Sequence, residues 1–511
     1  MTGPGDVISE DPLMYLPKDY IDRMRLLLGE EYPAFEASYD ADRYYGLRIN
    51  PLKVGKADIE GILSDIGADA GETVPWCDEG YYYNKDSCQA GRSPYHDAGA
   101  YYIQEPSAMS VISAMDPVPG ERICDLCAAP GGKTTHIAGR MLGEGILVAN
   151  EIVPDRARIL ARNVERMGVS NCIVTNASPQ DMALKFPGYF HKVCVDAPCS
   201  GEGMFRKDED AAGEWSLSVV DMCADRQAEI LDAAADMVMP GGMIVYSTCT
   251  FEPAENERTI TAFVSRHPDW HIVDTGLTSI PTRGRAEWAD GCPEVGLTTR
   301  IWPHISRGEG HFIAKLVKDG ATALTGTADS YDPYGRMSDQ TPKRKGRNSD
   351  FGKRNAALCD EVSQFLHTEL GLEGVPLSPE CIYETSDSIF LLPDGFDVKR
   401  MSGIRVIRPG LELVSKKKNR LEPAHALAMA VSKRQIYNTC NLTIDEAYAF
   451  LRGETFVPST GPGRIGEKGN VETVSGWIIA SINGVSMGWG KLTGGTLKNH
   501  YPKGLRRDLS H

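Results

Sequence analysis

The stretch Ile123-Cys124-Asp125-Leu126-Cys127-Ala128-Ala129-Pro130-Gly131-Gly132-Lys133-Thr134 runs a short apolar segment into a glycine-rich turn. Helical patterning follows from Lys133 to Met141. Strand, tight turn and helix in that order form the opening unit of an α/β sheet. The same rhythm repeats downstream. Ile146–Glu151, Cys172–Asn176, Lys192–Asp196 and Met243–Thr248 have the length and apolarity of buried strands. Pro154 opens one intervening helix at a favoured first-turn position, and Ser218–Met239 is a long second one that ends at Pro240-Gly241-Gly242. Strands alternating with helices predict a doubly wound parallel sheet, closed by His311–Leu316 as its last strand.

The glycine turn narrows the chemistry. Gly132-Lys133-Thr134 copies the end of a phosphate-binding P-loop, but such a loop needs glycine where Cys127 stands, which argues against an NTPase. A nucleotide-type cofactor held by backbone fits better. Small residues over 127–132 let the main chain approach a ligand, and the helix start offers free N–H groups. Glu151 ends the second strand about 20 residues on, where an acid accepts hydrogen bonds from ribose hydroxyls.

Two further segments, Val195-Asp196-Ala197-Pro198-Cys199-Ser200-Gly201 and Tyr246-Ser247-Thr248-Cys249-Thr250, each set a cysteine just past a strand end. Ligands of open α/β sheets lie in the crevice beyond the carboxyl ends of the strands. Two thiols and one carboxyl group delivered there suit covalent chemistry on a pyrimidine. Addition of a thiolate at carbon 6 makes carbon 5 nucleophilic enough to attack a methyl donor. Cys172 and Cys194, inside strands, read instead as small buried hydrophobes.

The chain has 511 residues, 41% hydrophobic and 24% charged, enough for several globular domains. It contains no apolar run long enough to span a bilayer, and Met1-Thr2-Gly3-Pro4-Gly5 does not open a signal peptide, so a cytoplasmic, membrane-free protein is expected. Thirteen irregularly spaced cysteines fit a reducing compartment. Cys124 and Cys127 form a lone CxxC with no partner pair, so no metal is expected. The net charge of −16 has the wrong sign for nucleic acid, yet basic residues cluster at Lys343–Arg347, at Lys416–Arg420 and through Ser481–His511. Local potential decides phosphate binding, so RNA stays open as a partner.

Residues 1–100 mix a helix near Tyr20–Leu28 with strands at Tyr45–Asn50 and Tyr81–Tyr83, and Tyr101–Ile103 is a further strand. Residues 319–355, poor in aromatics and rich in small and polar residues, read as a flexible linker. Beyond it, Cys381–Glu384 and Ser388–Leu392 are strands. Thr443 and Glu446 are spaced as a capping box for a helix over Ile444–Leu451. Asn483-Gly484 between two apolar runs predicts a hairpin.

The segments Leu126–Thr135, Val195–Lys207 and Tyr246–Glu257 resemble the signatures of the Sun/nucleolar-protein family, S-adenosylmethionine-dependent RNA 5-cytosine methyltransferases. Tyr102–Ser107, Arg226-Gln227 and Gly310–Phe312 match as well. Leu47-Arg48-Ile49-Asn50 resembles the family's RNA-binding extension, and Gly488–Lys491 with Lys498–Arg507 resembles the PUA-like module of its RsmF branch, which modifies 16S ribosomal RNA. The resemblance implies a Rossmann-like class I methyltransferase sheet over 101–318. It also implies an α+β N-terminal RNA-binding extension over 1–100, a first C-terminal domain over 356–429 and a PUA-like domain over 430–511. By the family pattern Cys249 is the nucleophile, Cys199 helps dissolve the adduct, Asp196 contacts the base, and Lys133 reaches the active site. Cys127, Ala128, Ala129, Pro130, Gly131, Gly132 and Lys133 hold S-adenosylmethionine with Glu151, Arg156 and Asp196. Ser178 stands where the family often has an adenine-contacting acid, so Asn176 and Ser178 are the expected substitutes. A monomer acting on 16S ribosomal RNA or the small subunit is expected. The same chemistry on transfer RNA, or an idle RNA-binding assembly factor, are the rival readings, and intact Asp196, Cys199 and Cys249 speak against the second.

Overall fold

The computed structural model describes residues 16–207, 209–289, 291–320, 349–375, 377–418, 420–431, 438–460, 463–465, 471–473 and 475–507. Met1–Gly5, Asn419 and most of the expected linker, with Lys343–Arg347, lie outside the described residues.

The N-terminal part pairs three antiparallel strands, β1 (Tyr45–Ile49), β2 (Gly80–Tyr83) and β3 (Tyr101–Ile103), in the order β2-β1-β3. Next come β4 (Arg122–Asp125), β5 (Ile146–Asn150), β6 (Cys172–Asn176), β7 (Phe190–Asp196) and β8 (Val238–Thr248). These five are mutually parallel in the order β8-β7-β4-β5-β6. The chain winds from β4 outward to β6, then returns to the other side of β4 as β7 and β8. The switch point therefore lies between β4 and β7, where a ligand crevice opens. Two hydrophobic clusters cover the two faces of this sheet.

The sheet is not wholly parallel, as the sequence rhythm had suggested. β9 (Trp270–Val273), β10 (Thr299–Ile301) and β11 (His311–Lys318) join antiparallel, with β11 against β8. The far edge is covered by β14 (Arg405–Arg408), antiparallel to β6, after β12 (Ile382–Glu384) and β13 (Ser388–Leu391). Edge coverage from a distant segment removes unpaired N–H and C=O groups that local patterning does not register. Pro240-Gly241-Gly242 also differs from expectation: it belongs to β8, not to a turn before it. The irregularity between Phe190 and Lys192 absorbs it, and a Cβ on Gly242 would lie 2.6 Å from the His191 carbonyl.

The expected linker is shorter than read, because a helix spans Ser349–Thr368. Its Cys359, Val362 and Leu366 recur at helical spacing and are buried against β13 and β15 (Leu411–Lys417), which pairs with β16 (Arg420–Pro423). The last part is a six-stranded sheet, β19-β18-β17-β20-β21-β22, built from β17 (Asn438–Asn441), β18 (Gly463–Ile465), β19 (Val471–Thr473), β20 (Gly476–Ile482), β21 (Val485–Thr493) and β22 (Thr496–Asn499). Asn483 and Gly484 carry φ of 46° and 73°, the paired left-handed residues of a two-residue hairpin. The capping box of Thr443 and Glu446 starts the helix Ile444–Arg452.

The two ends of the chain share one core. Leu47, Ile49, Ile62 and Tyr101 pack in a single cluster with Phe450, Ile478, Ala480 and Leu497. Polar contacts seal the seam. The Asn483 amide donates to the Tyr95 hydroxyl, and Lys53 Nζ lies 2.7 Å from the Ala98 carbonyl and 3.4 Å from that of Ser486. Among the described residues no helix is long and apolar enough to cross a membrane.

Candidate active site

β4 ends at Asp125, and the chain then turns through Leu126–Gly131 into the helix Gly132–Met141. Backbone ladders extend past the strand ends: Leu126 N donates to the Cys194 carbonyl and Ala128 N to that of Asn150. The Asn150 amide binds the carbonyls of Leu126 and Ala177. The loop is thus fixed before any ligand arrives.

A cavity of about 440 Å³ opens beside it, lined by Cys127, Ala129, Glu151, Arg156 and Asp196. Ile152, Val153, Pro179, Gln180, Arg226, Glu229 and Ile230 complete its wall. Glu151 lies just past β5, buried, with Oε1 accepting from Val153 N at 2.9 Å and Oε2 3.6 Å from Arg156 Nη1. Arg156 also donates to the Ala129 carbonyl at 2.9 Å, so one guanidinium links the loop to the acid. The mixture of apolar wall, buried carboxylate and fixed backbone fits a nucleoside.

Ala128, Pro130, Gly131, Gly132 and Lys133 do not line this cavity; they support it from behind. Gly131 has φ of 114°, and a Cβ there would lie 3.2 Å from Leu160. A Cβ on Gly132 would lie 3.3 Å from the Gln104 amide. Gly131 is packed against the helix Pro154–Arg166 and Gly132 against the N-terminal part of the chain. Arg48 makes the same junction. Fully buried, it donates to Gln104 Oε1 at 3.1 Å, to the Gly132 carbonyl at 3.1 Å and to Thr135 Oγ1 at 2.9 Å. Burial pulls its guanidinium down to about 10. Asn50 is buried too, bonded to the carbonyls of Gly99 and Met167. The Leu47–Asn50 segment is therefore a brace for the cofactor loop, not an RNA-facing surface.

Asn176 and Ser178 also stand outside the cavity wall. The Asn176 amide donates to the carbonyls of Glu151 and Ile152, and Ser178 caps the helix Pro179–Lys185 through Asp181 N. Both amide hydrogens of Asn176 and the Ser178 hydroxyl are thus engaged by the loop and the helix. Pro179 and Gln180, the next residues, face the space instead.

The thiols meet. Cys199 Sγ and Cys249 Sγ are 3.4 Å apart, beyond the ends of β7 and β8. The adjacent Cys249 sulfur, with burial, pushes the Cys199 thiol up, so Cys199 stands protonated. Asp196 ends β7 between this pair and the cavity. Its Oδ2 lies 2.7 Å from Lys133 Nζ, and its Oδ1 accepts from Ser247 Oγ at 2.7 Å, with His311 Nε2 at 3.8 Å. Burial opposes ionisation of Asp196, but Lys133 and His311 outweigh it and hold the carboxyl well below its usual range. Lys133 is raised in turn: burial lowers it, and the Asp196 charge more than compensates. Beneath them Asp125 is pushed up to about 7 by burial, although Thr134 Oγ1 donates to it at 2.6 Å.

The two cysteine loops are tied by residues that the sequence reading did not single out. Glu255 accepts from Ser200 N at 3.0 Å, from the Ser200 hydroxyl and from Gln227 Nε2 at 2.9 Å. Ser200 Oγ is 2.9 Å from Thr250 Oγ1, one residue past each cysteine. Gly203 N donates to the Cys249 carbonyl at 2.7 Å, and a Cβ at Gly203 would meet that carbonyl at 2.8 Å. The available signal was Glu255 itself, an acid inside the Tyr246–Glu257 signature with no stated task.

Outside the crevice, Cys77, Glu79 and His136 bring ligand-type atoms within 4.8 Å of one another. Arg140 Nε lies 2.9 Å from Glu79 Oε1, so that carboxylate is already neutralised.

A family model described as 16S rRNA methyltransferase RsmB/F matches residues 112–317. The N-terminal domain of 16S rRNA methyltransferase RsmF matches 16–106, the RsmF rRNA methyltransferase first C-terminal domain 365–431, and the methyltransferase RsmF PUA domain 437–507. Ribosomal RNA small subunit methyltransferase F of Vibrio parahaemolyticus is 30% identical over 506 residues, covering 97% of this chain and 99% of that protein. The protein of the same name from Shewanella piezotolerans is 32% identical over 468 residues, covering 90% and 91%. A solved methyltransferase homolog protein from Pyrococcus horikoshii is 30% identical with a TM-score of 0.53, over 60% of this chain and 96% of that one. NSun6 from Pyrococcus horikoshii, solved with SFG, shares the fold at 20% identity and a TM-score of 0.52, over 60% and 99%.

Proposed function

The chain belongs to the ribosomal RNA small subunit methyltransferase F family, and on that premise we propose that it methylates carbon 5 of a cytosine in 16S ribosomal RNA, with S-adenosylmethionine as donor and Cys249 as covalent nucleophile. The observation that carries the reading is the pair of sulfurs 3.4 Å apart, with Asp196 held ionised by Lys133 beside them.

S-adenosylmethionine, when bound, supplies an electrophilic methyl group. Glu151 is the acceptor for its ribose hydroxyls, and Ile152, Val153, Pro179 and Ile230 are the apolar walls of its pocket. The target base leaves its stack, at about a few kcal/mol, to reach the thiols. Cys249 sulfur bonds to carbon 6, and negative charge moves into the ring. Asp196, being ionised, accepts from the exocyclic amino group, while the Lys133 ammonium 2.7 Å away is the cation that stabilises the ring charge. Methylated carbon 5 then gives its proton to a water molecule, the C–H electron pair re-forms the carbon 5–carbon 6 double bond, the sulfur–carbon 6 bond breaks, and its electron pair returns to Cys249 as thiolate. The protonated Cys199 thiol adjoins the departing sulfur.

The PUA-like sheet and the basic residues Lys491, Lys498, Lys503 and Arg506 suit the recognition of RNA away from the crevice. The reading is of a cytoplasmic enzyme with ribosomal RNA as its partner.

Cys249→Ala is expected to abolish both methyl transfer and the covalent protein–RNA adduct seen on a denaturing gel. Cys199→Ala is expected to accumulate that adduct. Undiminished turnover by the first variant, or no adduct with the second, overturns the assignment of roles.

A further inference from the structure

A groove lies along the N-terminal sheet. It comprises two adjoining hollows of about 290 and 510 Å³ that share Arg43, Tyr45, Tyr83 and Asn84. On one side its wall is Arg206, three residues beyond Gly203, whose N–H holds the Cys249 carbonyl. On the other it is Arg307, three residues before Gly310, which packs on Phe251 just after the nucleophile. Each wall thus lies three residues along the chain from a glycine packed on the segment Cys249–Phe251.

The lining sets tyrosines among four cations, Arg43, Lys85, Arg206 and Arg307, and four acids. The rings of Tyr45 and Tyr83 lie 5.8 Å apart, and those of Tyr44 and Tyr82 6.0 Å. Lys85 Nζ sits 5.6 Å from the Tyr45 ring, and Arg307 lies 4.0 Å from Tyr82 and 5.2 Å from Tyr44. Tyr82 is fixed from below, its hydroxyl donating to the Arg307 carbonyl at 3.0 Å. Arg43 is fixed as well, to the Arg206 carbonyl and the Tyr45 hydroxyl, each at 2.9 Å. Lys85, Lys207 and Tyr44 are exposed. Tyrosines clustered for core packing alone would not be rimmed by exposed cations. Ring planes alternating with cations match the needs of an unpaired nucleotide: a face for the base and a charge for the phosphate. The acids Asp42 and Asp86 of one hollow and Asp69 and Glu72 of the other, with Glu72 Oε2 2.8 Å from Arg307 Nη2, repel phosphate but accept from base amino groups.

We infer that this groove seats an unpaired nucleotide of the RNA substrate adjacent in sequence to the target cytosine. Tyr83 and Tyr45 form the stacking floor, and Lys85 neutralises a flanking phosphate. The inference rests on the proposed RNA methylation, and it adds a reader of sequence context next to the chemistry.

The test measures binding and turnover separately in the full chain. Fluorescence anisotropy reads the affinity for a labelled single-stranded 16S RNA fragment, and methyl incorporation reads turnover on 16S RNA, free and in small subunits. Tyr83→Ala is expected to weaken RNA binding roughly 5- to 150-fold, the range for loss of one stacked base, and Lys85→Glu to weaken it by reversing a phosphate-facing charge, both with S-adenosylmethionine affinity unchanged. Tyr83→Phe, which keeps the ring, is expected to stay within about twofold of the parent. Lys85 is exposed, so its variant folds even if Tyr83→Ala does not. Unchanged RNA affinity in Lys85→Glu and Tyr83→Ala overturns the groove. Wild-type protein that binds the fragment through these residues but never methylates it overturns the methylation reading instead.

Discussion

Replacing Lys133 with Met removes the cation from a buried pair while roughly preserving side-chain volume. At 2.7 Å and an effective dielectric constant near 20, the Lys133–Asp196 attraction is about 6 kcal/mol before desolvation is deducted. Breaking one partner of a buried pair costs about 3–5 kcal/mol, and the lower end applies because the Asp196 side chain keeps 34% of its surface exposed. A loss of about 3 kcal/mol corresponds to a melting shift of roughly 6–12 °C for a catalytic unit of this size. The pH dependence has a definite sign. In the parent, Asp196 is depressed, so its contribution is present above the unfolded value near ~4 and is lost only as pH falls through the still lower folded value. In the variant, burial alone acts, with Ser247 and His311 left as partners, and Asp196 takes up a proton at higher pH. The stability deficit is therefore largest near ~pH 8 and shrinks toward ~pH 5. Turnover is expected to fall about 10²- to 10⁴-fold, the span for a positioned proton or charge donor. Thermal unfolding between ~pH 5 and ~pH 8 and methyl incorporation into 16S RNA are the assays. A variant with parental melting at every pH and turnover within about threefold refutes the account of the pair.

Glu255→Ala leaves Ser200 N and Gln227 Nε2 without their acceptor, which is expected to lower stability by about 2–4 kcal/mol and to slow turnover without altering S-adenosylmethionine affinity. Glu255→Gln, which keeps an acceptor, should recover most of both; calorimetric cofactor titration and single-turnover rates decide it. Deleting 438–511 uncovers Leu47, Ile49 and Tyr101, so the truncated chain is expected to bind a hydrophobic dye and aggregate. A monodisperse truncated protein with native near-ultraviolet dichroism would contradict the shared core.

The parallel strands were legible because each is a continuous apolar run bounded by turn residues. Cys199 and Cys249 were legible because they fall one step outside such runs. The antiparallel edge β14 was not, since Arg405–Arg408 carries two arginines and is a strand only by its pairing with β6. Asn176 and Ser178 stand where the family pattern expects an acid, but the Asn176 amide hydrogens hold loop carbonyls, the Ser178 hydroxyl caps a helix, and neither lines the cavity. Leu47–Asn50 was matched to an RNA-binding extension as a segment, and only the fold reveals the Gly132 carbonyl as the partner of Arg48. Glu255 was inside a quoted segment, yet its task depends on two loops from different strands, which no local pattern joins.

The core shared by the two ends of the chain sets an order on biosynthesis. Leu47 emerges from the ribosome first and needs Ile478, 431 residues later, as a neighbour. At ~5–20 residues per second that is a wait of roughly 20–90 s. During that time the N-terminal sheet is an unfinished surface, while the catalytic sheet behind it can already close. Arg48 and Gln104, which brace the cofactor loop, belong to that unfinished part. The C-terminal sheet therefore completes the support of a cofactor loop made long before it, and a chain that stops short of β17 carries that loop on an unfinished brace.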